Sequence, residues 1–295
     1  MKILVTGATG FIGQNLIKLL LDKDYEIHCI VRINSNISSI DKRAIIFKYD
    51  GNIDSLLEYC KDERFDGVIH LASLFLSSHT KDNISGLISS NIQFGTELLE
   101  ASKETNIKWF INTGTFWQNY EDEEYNPVNL YAATKEAFKD IAKYYTETSG
   151  LVFTTIKLND TFGPNDTRNK VFNLWKKIAK SGEALEMSEG EQIIDISYIE
   201  DVINAYEILI NYLNLDENNE FKNKEFVITN NEKMSLKNLS KIFEEVTNSK
   251  LNIIWGARPY RDREVMIPYD NERIVPNWKQ KYTLKEAIIK TIGED

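Results

Sequence analysis

The chain opens with Met1-Lys-Ile-Leu-Val-Thr-Gly7-Ala-Thr-Gly10-Phe-Ile-Gly13, and this stretch decides the fold class. Residues 2–6 are a short apolar run of the kind that forms a buried parallel strand. Three glycines follow at the spacing Gly-x-x-Gly-x-x-Gly, and apolar residues at helical spacing come after them. The first two glycines let the chain turn close to a pyrophosphate, and the third lets the helix pack against the strand. Because the N-terminus of that helix attracts anions, the stretch predicts a dinucleotide-binding turn.

Strand-like and helix-like segments then alternate as far as residue 160. The predicted strands are 2–6, 25–32, 45–49, 67–72, 109–113 and 152–158. The predicted helices are 11–21, 53–60, 85–104 and 131–148. This alternation predicts an α/β fold, a Rossmann-type doubly wound parallel sheet. We expect an NAD(P)-binding domain over 1–160, to which some later segments return, and a smaller C-terminal α/β cap over 161–295 that mainly binds substrate.

Composition narrows the possible partners. The 295 residues, 42% hydrophobic and 27% charged, are ordinary for a soluble globular protein. A net charge of −10 leaves no basic surplus for nucleic acid. No apolar run reaches the roughly 18 residues of a membrane helix, and the apolar start ends in the glycine turn, so we expect no signal peptide. Cys29 and Cys60 are expected to be buried free thiols in the cytoplasm.

The end of the second predicted strand bears on the choice of cofactor. An Asp or Glu there would hold the ribose 2′-hydroxyl and repel a 2′-phosphate. The chain instead has Ile30-Val-Arg32-Ile-Asn-Ser35, without an acid. Arg32 can pair with a phosphate as a planar, permanently charged group. NADP (NADPH) is therefore favoured over NAD, with a solvated loop charge as the alternative role of Arg32.

A Tyr-x-x-x-Lys pair, Tyr131 and Lys135, lies at the start of the last predicted helix. This spacing places both side chains on one helix face. A nearby ammonium and an oxidised nicotinamide favour the phenolate, so the pair is predicted to transfer a proton, and Lys135 to bind the nicotinamide ribose. The alternative is an exposed helix pair. Thr113 is the predicted bridge to the substrate oxygen, and Thr115 either helps or lines the pocket.

These motifs resemble the extended short-chain dehydrogenase/reductase superfamily, the NAD-dependent epimerase/dehydratase family, whose members act mostly on nucleotide sugars. The resemblance covers essentially the whole chain and includes Thr161-Phe-Gly-Pro164 and Tyr198-Ile-Glu-Asp201-Val. It implies a homodimer that associates through the helices around 85–104 and 131–148. The cofactor contacts expected from the glycine turn and from the resemblance, besides Arg32, Tyr131 and Lys135, are Gly7, Thr9, Gly10, Phe11, Ile12, Asp50, Gly51, Leu71, Ala72, Ser73, Asn91 and Leu158.

Within the superfamily, three stretches resemble the CDP-abequose synthase-like reductases, which reduce the 4-keto group of a nucleotide-linked deoxyhexulose. They are Asn112-Thr-Gly-Thr-Phe-Trp-Gln118, Pro127-Val-Asn-Leu-Tyr-Ala-Ala-Thr-Lys135 and Asp160-Thr-Phe-Gly-Pro-Asn-Asp166. The 4,6-dehydratases carry an Asp-Glu pair directly after the bridging threonine. This chain has Gly114-Thr115 there, and because dehydration needs that acid and base, it is not expected.

The same resemblance suggests substrate contacts. Relatives often have an arginine where this chain has Ile194, so the sugar's diphosphate is assigned to Arg258 and Arg261. Asp160 replaces an asparagine that often contacts the sugar. Thr115 and Phe116 complete the expected substrate contacts.

Together these residues predict an NADPH-dependent 4-ketoreductase acting on a nucleotide-diphosphate-linked 6-deoxy or dideoxy hexulose, with surface-polysaccharide synthesis implied by resemblance alone. The first alternative is a nucleotide-sugar 4-epimerase with tightly bound NAD. An alternative of another class is a non-catalytic NADP-binding sensor, against which the retention of Tyr131 and Lys135 counts. No His, Cys or carboxylate cluster has metal-ligand spacing, so no metal is expected.

Overall fold

A computed structural model describes residues 1–217, 219–269 and 273–293 of the chain. Its strands are β1 (Lys2–Thr6), β2 (Glu26–Arg32), β3 (Ile45–Tyr49), β4 (Gly67–His70), β5 (Trp109–Thr115), β6 (Val152–Leu158), β7 (Asp160–Phe162), β8 (Leu185–Glu186), β9 (Ile193–Ile194), β10 (Ile196–Tyr198), β11 (Lys224–Ile228), β12 (Met234–Ser235) and β13 (Ile253–Ile254). Seven of them form a parallel sheet in the order β11-β6-β5-β4-β1-β2-β3. The predicted Rossmann-type fold is confirmed. Strand order reverses between β1 and β4, and ligands bind at such a switch point, outside the carboxyl ends of the strands.

Helices cover both faces of this sheet. The helices of the described residues, which include those of the C-terminal half, are α1 (Phe11–Leu21), α2 (Ile53–Glu63), α3 (Ile84–Ile88), α4 (Phe94–Glu104), α5 (Leu130–Thr148), α6 (Val171–Ser181), α7 (Ile199–Leu215), α8 (Leu236–Thr247) and α9 (Leu284–Gly293). Successive strand residues point to opposite faces, so Ile3 and Val5 of β1 join the core of α1 and α7, whereas Leu4 joins that of α2, α4 and α5. Among the described residues, no helix has both the length and the apolar content needed to cross a membrane.

The predicted helix over 85–104 is interrupted by a π-helical turn, Ser89–Gln93, between α3 and α4. The turn carries Asn91, which is buried. Its side-chain oxygen accepts a hydrogen bond from the Leu74 N–H at 2.7 Å, and its amide donates to Thr134 Oγ1 at 3.0 Å. These partners are 17 and 43 residues away in sequence, so a local pattern does not reveal the turn. Asn91 thereby ties the loop after β4 to α5.

The chain after residue 160 contributes to both parts of the molecule. β11 pairs with β6 in the central sheet, and α7 packs against α1 beneath it. The short strands pair as β10 with β7, β12 with β9 and β13 with β8. Large side chains of α6 and α8, among them Trp175 and Phe243, pack together in the C-terminal half. The division near residue 160 stays a prediction, since some later elements return to the sheet.

Candidate active site

The glycine turn between β1 and α1 packs tightly against the loop after β4. Gly7 has a φ of +73°, and a Cβ there would lie 2.7 Å from the Ala72 nitrogen. A Cβ on Gly13 would lie 2.3 Å from the Gly7 carbonyl oxygen. Gly10 is the N-cap of α1, and no side chain of the described residues caps this helix. The first N–H groups of α1 are thus left for another acceptor, which fits the pyrophosphate of a dinucleotide.

The loop after β4 is held by a buried polar chain. The Ala72 N–H donates to Thr6 Oγ1 at 3.1 Å, and Thr6 Oγ1 lies 2.8 Å from His70 Nδ1. Burial, with a smaller effect of the nearby Lys135 charge, lowers the pKa of His70 to about 3. His70 is therefore a neutral packing residue. Its ring contacts Phe94, Phe110 and Phe138.

Tyr131 and Lys135 lie on the inward face of α5, which begins at the N-cap Asn129; the Asn129 side chain accepts from the Ala132 N–H at 3.0 Å. Burial raises the pKa of Tyr131 to about 12, while a hydrogen bond from the Ser73 hydroxyl opposes this rise. A phenol in this state is protonated at neutral pH.

Lys135 is only 2% exposed. Burial lowers its pKa to about 8. Within the described part of the chain, its ammonium has no hydrogen-bond or ion-pair partner. A buried donor of this kind needs an acceptor, and ribose hydroxyls of a bound dinucleotide fit that need. The lowering of the Tyr131 pKa by Lys135 stays a prediction for the cofactor complex.

Thr113 meets a residue that the sequence analysis missed. Its Oγ1 lies 2.7 Å from the phenolic oxygen of Tyr206, on α7. Tyr206 has no exposed surface, and burial raises its pKa; the Thr113 hydrogen bond opposes this rise, and the nearby Tyr131 adds to it. The two positions are 93 residues apart. The only local signal was a tyrosine among the core-facing residues of an otherwise apolar helix.

The segment after Thr113 has no room for an acidic pair at its first position. A Cβ on Gly114 would lie 2.8 Å from Gln118 Oε1. That oxygen accepts from the Thr115 N–H at 2.8 Å, and the amide of Gln118 donates to Glu136 at 2.5 Å. Because Gln118 has partners on both sides, it does not move aside at little cost. The Thr115 hydroxyl accepts from the Trp117 N–H at 3.4 Å, which caps the following turn.

Phe75 packs on Tyr131 and Trp117, and these contacts define one wall of the site, called the roof below. Its ring meets that of Tyr131 edge-on, with centroids 5.1 Å apart. The Lys170 ammonium lies 5.1 Å from the centroid of the Phe75 ring and 2.8 Å from Asp160 Oδ1. The predicted substrate residue Asp160 is thus ion-paired, and its partner Lys170, at the N-terminus of α6, was not predicted.

Of the two predicted arginines, Arg261 is the one at this roof. Its guanidinium lies 5.2 Å from the Trp117 ring, and that ring lies 5.5 Å from Phe75. The pKa of Arg261 is raised mainly by its hydrogen bonds to Glu264, with a small contribution from Asp160. Arg258 instead pairs with Glu186 at 3.8 Å, beside β8, with 65% of its side chain exposed. Phe116 contacts Trp117, with centroids 6.0 Å apart.

The Gly-Pro turn after β7 touches the start of α1 through an arginine. Arg168 donates to both carboxylate oxygens of Asp166 at 2.8 Å and to the Thr161 carbonyl at 2.9 Å. Its guanidinium lies 4.4 Å from the centroid of the Phe11 ring. The predicted cofactor contact Phe11 is therefore packed against Arg168, which lies at the start of the C-terminal half.

The remaining predicted cofactor residues lie at the carboxyl ends of other strands. Arg32, at the end of β2, is exposed, and its guanidinium has no partner among the described residues. Asp50 follows β3, and its carboxylate accepts from the Asn52 N–H and the Ser55 hydroxyl, each at 2.9 Å, which lowers its pKa. The others are Thr9 and Ile12 in the turn, Gly51 beside Asp50, Leu71 after β4 and Leu158 at the end of β6.

One cluster with metal-ligand chemistry lies away from this site. Glu26, His28 and Glu63 bring their ligand atoms within 4.8 Å of one another. Glu26 and His28 are neighbours on β2, but Glu63 is at the end of α2, far along the chain, so spacing did not show the cluster. The Lys2 ammonium lies 2.7 Å from Glu63 and 3.1 Å from Glu26. Because a lysine already balances these carboxylates, we assign no metal here.

Comparisons with known proteins agree with this arrangement. A sequence model described as NAD dependent epimerase/dehydratase family matches residues 3–226. A CDP-abequose synthase of Yersinia pseudotuberculosis is 29% identical over 295 residues, 99% of each chain.

Solved structures show the same fold. A UDP-glucose 4-epimerase of Thermotoga maritima, solved with UDP-glucose, matches with a TM-score of 0.86 at 20% identity, over 100% of this chain and 98% of that one. A UDP-glucuronic acid 4-epimerase of Bacillus cereus, solved with UDP-glucuronic acid and NAD, matches with a TM-score of 0.84 at 21% identity, over the same shares. At these identities the two structures bear on the fold alone.

Proposed function

From the premise that this chain belongs to the NAD-dependent epimerase/dehydratase family, we propose that it is an NADPH-dependent reductase. Its substrate is a nucleotide-diphosphate-linked 6-deoxy or dideoxy hexulose, and the group reduced is the 4-keto group. The observation that carries this proposal is the buried pair Tyr131 and Lys135, one helical turn apart on α5 at the carboxyl edge of the sheet, in which the Lys135 ammonium has no partner among the described residues.

The residues of the site divide the chemistry among themselves. A bound NADPH supplies a hydride to the keto carbon. Tyr131 gives its proton to the oxygen as negative charge develops there, and Thr113 holds the same oxygen by a hydrogen bond. Lys135 binds the ribose and stabilises the phenolate that remains after proton transfer. Burial favours the protonated phenol, which is the form that a reduction needs.

Reduction is favoured over dehydration because the acid of a dehydratase has no place here. Gln118 fills the space beside Gly114, and its two hydrogen-bonding partners hold it there. The full-length likeness to a CDP-abequose synthase supports a role in making an unusual nucleotide sugar.

NADP is the proposed cofactor because Arg32 stands exposed and unpartnered among the described residues where an acid would otherwise bind the ribose. The other cofactor contacts predicted between Gly7 and Leu158 are proposed from the glycine turn and from the family resemblance. Asn91 differs from the other predicted cofactor contacts because its side chain already has partners in the protein. Its amide is already bonded to Leu74 and Thr134, so its proposed contribution is to place the loop that contacts the cofactor.

The nucleotide sugar is proposed to enter beneath Phe75. Lys170, paired with Asp160, lies over the Phe75 ring, and Arg261, paired with Glu264, lies over the neighbouring Trp117 ring. Each cation has a carboxylate partner, so the two donors are proposed to bind a diphosphate by exchanging these partners for its oxygens. Thr115, Phe116 and Arg258 remain proposed substrate contacts farther from Tyr131.

A cytoplasmic homodimer completes the proposal. Exposed apolar side chains on α3 and α5 support pairing through these helices. They are Ile84, Ile88 and Tyr144, with 45%, 41% and 58% of their surface exposed.

A panel of 4-keto-6-deoxy sugars on different nucleotides, followed by loss of NADPH absorbance, tests the function. We expect oxidation of NADPH with at least one member and a 4-hydroxy sugar as product. NAD that stays bound through purification, with interconversion of 4-hydroxy sugars and no net NADPH loss, would support the 4-epimerase instead. Binding of NADP without turnover of any member would support the sensor.

Replacement of Tyr131 by Phe tests the proton donor. We expect turnover to fall at least about 100-fold, since general-acid catalysis contributes this much or more, while affinity for NADPH changes little. Tyr145→Phe is the matched control, because Tyr145 is also buried on α5 but bonds Glu100, away from the site. Undiminished turnover in Tyr131→Phe would contradict the mechanism.

A further inference from the structure

We propose that Tyr206 is a positioning residue that directs the hydroxyl hydrogen of Thr113 toward the substrate oxygen. The inference rests on the proposed function in one respect, namely that Thr113 contacts this oxygen. It adds Tyr206 of α7 to the residues proposed to act at the reacting oxygen, which are Thr113 of β5 and Tyr131 of α5.

The position of Tyr206 follows from the alternation of side chains along β5. Trp109 and Ile111 point into the core shared with α1 and α7. Thr113 is two residues farther along the same face, where the strand reaches its carboxyl end. Tyr206 is buried in that core, and its phenolic oxygen reaches Thr113 Oγ1 at 2.7 Å. Thr113 is only partly buried, which leaves part of its side chain available for the proposed contact with the substrate.

The direction of this hydrogen bond follows from burial. A buried phenolic O–H left without an acceptor costs about 1–3 kcal/mol, and Thr113 is the partner that the described residues offer it. Burial also raises the pKa of Tyr206 above its ordinary value of about 10, so the phenol holds its proton at neutral pH. In this protonated state we assign Tyr206 as the donor and Thr113 as the acceptor; only in the phenolate would the bond run from Thr113 to Tyr206, which is the direction that opposes the rise of the Tyr206 pKa.

The consequence concerns the single hydrogen of Thr113. A threonine hydroxyl has one hydrogen and can accept through its oxygen at the same time. With the acceptor side facing Tyr206, the hydrogen of Thr113 is left to point into the site. A donor already aimed at the position where negative charge develops does not need to reorient during the reaction. Without Tyr206, the hydroxyl is free to rotate and to bond elsewhere.

The test is a double-mutant cycle on the proposed ketoreduction. We expect Tyr206→Phe to lower kcat about tenfold, with KM and NADPH affinity nearly unchanged. Thr113→Ala should lower kcat about 100-fold or more, as for loss of one oxyanion donor. In the Thr113→Ala background, Tyr206→Phe should have no further effect. Tyr145→Phe again serves as the matched loss of one buried hydroxyl, with kcat retained.

Thr113→Ser gives a second readout that a merely structural role of Tyr206 would not move. Serine lacks the methyl group that restricts the side-chain rotamer of threonine, so its hydroxyl depends more on Tyr206 for its orientation. We expect Tyr206→Phe to lower kcat more in the Thr113→Ser background than in the wild type.

Three outcomes would overturn the inference. They are an unchanged kcat in Tyr206→Phe, a loss of kcat from Tyr206→Phe that is as large in the Thr113→Ala background as in the wild type, and a loss of kcat that a lower melting temperature explains. Failure of the proposed function is seen separately, in the wild type. If the wild type interconverts 4-hydroxy sugars instead, the same cycle is measured on that reaction, because it also needs a donor to the sugar oxygen.

Discussion

Burial acts on Tyr131 and Lys135 in the same way but shifts their pKa values in opposite directions. In each case the charged form is disfavoured. The pKa of the phenol therefore rises to about 12 and that of the ammonium falls to about 8. Tyr131 is therefore protonated at neutral pH, and the buried Lys135 ammonium has no hydrogen-bond or ion-pair partner in the part of the chain that the structure describes. At the scale of the residue, the burial of the Lys135 ammonium is unfavourable, and hydrogen bonds to a bound cofactor would offset this cost.

Lys135→Met is expected to abolish turnover and to stabilise the fold. The fall of the Lys135 pKa from 10.5 to about 8 corresponds to on the order of 3 kcal/mol against folding. This cost is fully present below pH 8 and disappears as the pH rises to 10.5, because the unfolded chain holds this proton more tightly.

Urea unfolding of wild type and variant at pH 7 and pH 10 checks this expectation. The variant should be more stable at pH 7, and its advantage should shrink at pH 10. A variant less stable than the wild type at pH 7 would show that the charge of Lys135 is compensated in the folded protein.

Arg32→Asp tests the choice of cofactor. A charge-assisted hydrogen bond contributes about 1.5–3 kcal/mol, so KM for NADPH should rise about tenfold to a hundredfold. The new carboxylate should at the same time favour NADH. Lys48→Ala on the neighbouring strand is the control for general charge, since Lys48 is also exposed. If Arg32→Asp leaves the preference between NADPH and NADH unchanged, Arg32 has no role in cofactor choice and is a solvated loop charge.

At the scale of the element, the glycine turn shows how a loop becomes specific for one residue type. A left-handed backbone alone favours glycine, but crowding makes it necessary at Gly7, where a Cβ meets the Ala72 nitrogen. The loop after β4 is in turn held by Thr6 and by Asn91 in the π-helical turn. Neighbouring elements therefore fix the space in which a pyrophosphate would lie.

Gly7→Ala and Gly182→Ala separate these two effects. Both glycines have a similar positive φ, +73° and +70°, but nothing lies within 4 Å of a Cβ on Gly182. Gly182→Ala should lower the free energy of unfolding by only about 1–2 kcal/mol, which is the cost of a left-handed backbone for alanine. Gly7→Ala should lose more stability in urea unfolding and should also lose NADPH affinity. Equal losses in the two variants, with cofactor binding intact, would mean that the turn has room for a side chain.

At the scale of the whole molecule, the second half of the chain completes the first. Lys157 of β6 is 2% exposed and pairs with Glu225 of β11 at 2.6 Å, and Glu225 also pairs with Lys139 of α5 at 2.6 Å. α7 buries Tyr206, Leu209 and Ile210 completely against the core of α1. The sheet and the proposed active site therefore depend on residues from both halves.

A fragment of residues 1–160 is accordingly expected not to fold alone. It lacks β11, which leaves Lys157 without Glu225, and it lacks the helix that covers α1. Circular dichroism during urea unfolding should show no cooperative transition, and NADPH should not bind, whereas the full chain shows both. A cooperative fragment that binds NADPH would mean that the cofactor domain is independent of β11 and α7.

The sequence by itself determined the fold class and much of the site, because these depend on local chemistry. Glycine spacing, the alternation of strands and helices and the pair Tyr131 and Lys135 are readable within a few residues of one another. Even the absence of a dehydratase acid was visible at Gly114. The tertiary structure decided what depends on distant partners. It brought Tyr206 to Thr113, Lys170 to Asp160 and Gln118 into the space beside Gly114, and it separated Arg258 from Arg261. Thr113 and Tyr206 are 93 positions apart, and Gln118, although close to Gly114 in sequence, is held beside it by Glu136 of α5, so these arrangements form only when the helices pack on the sheet.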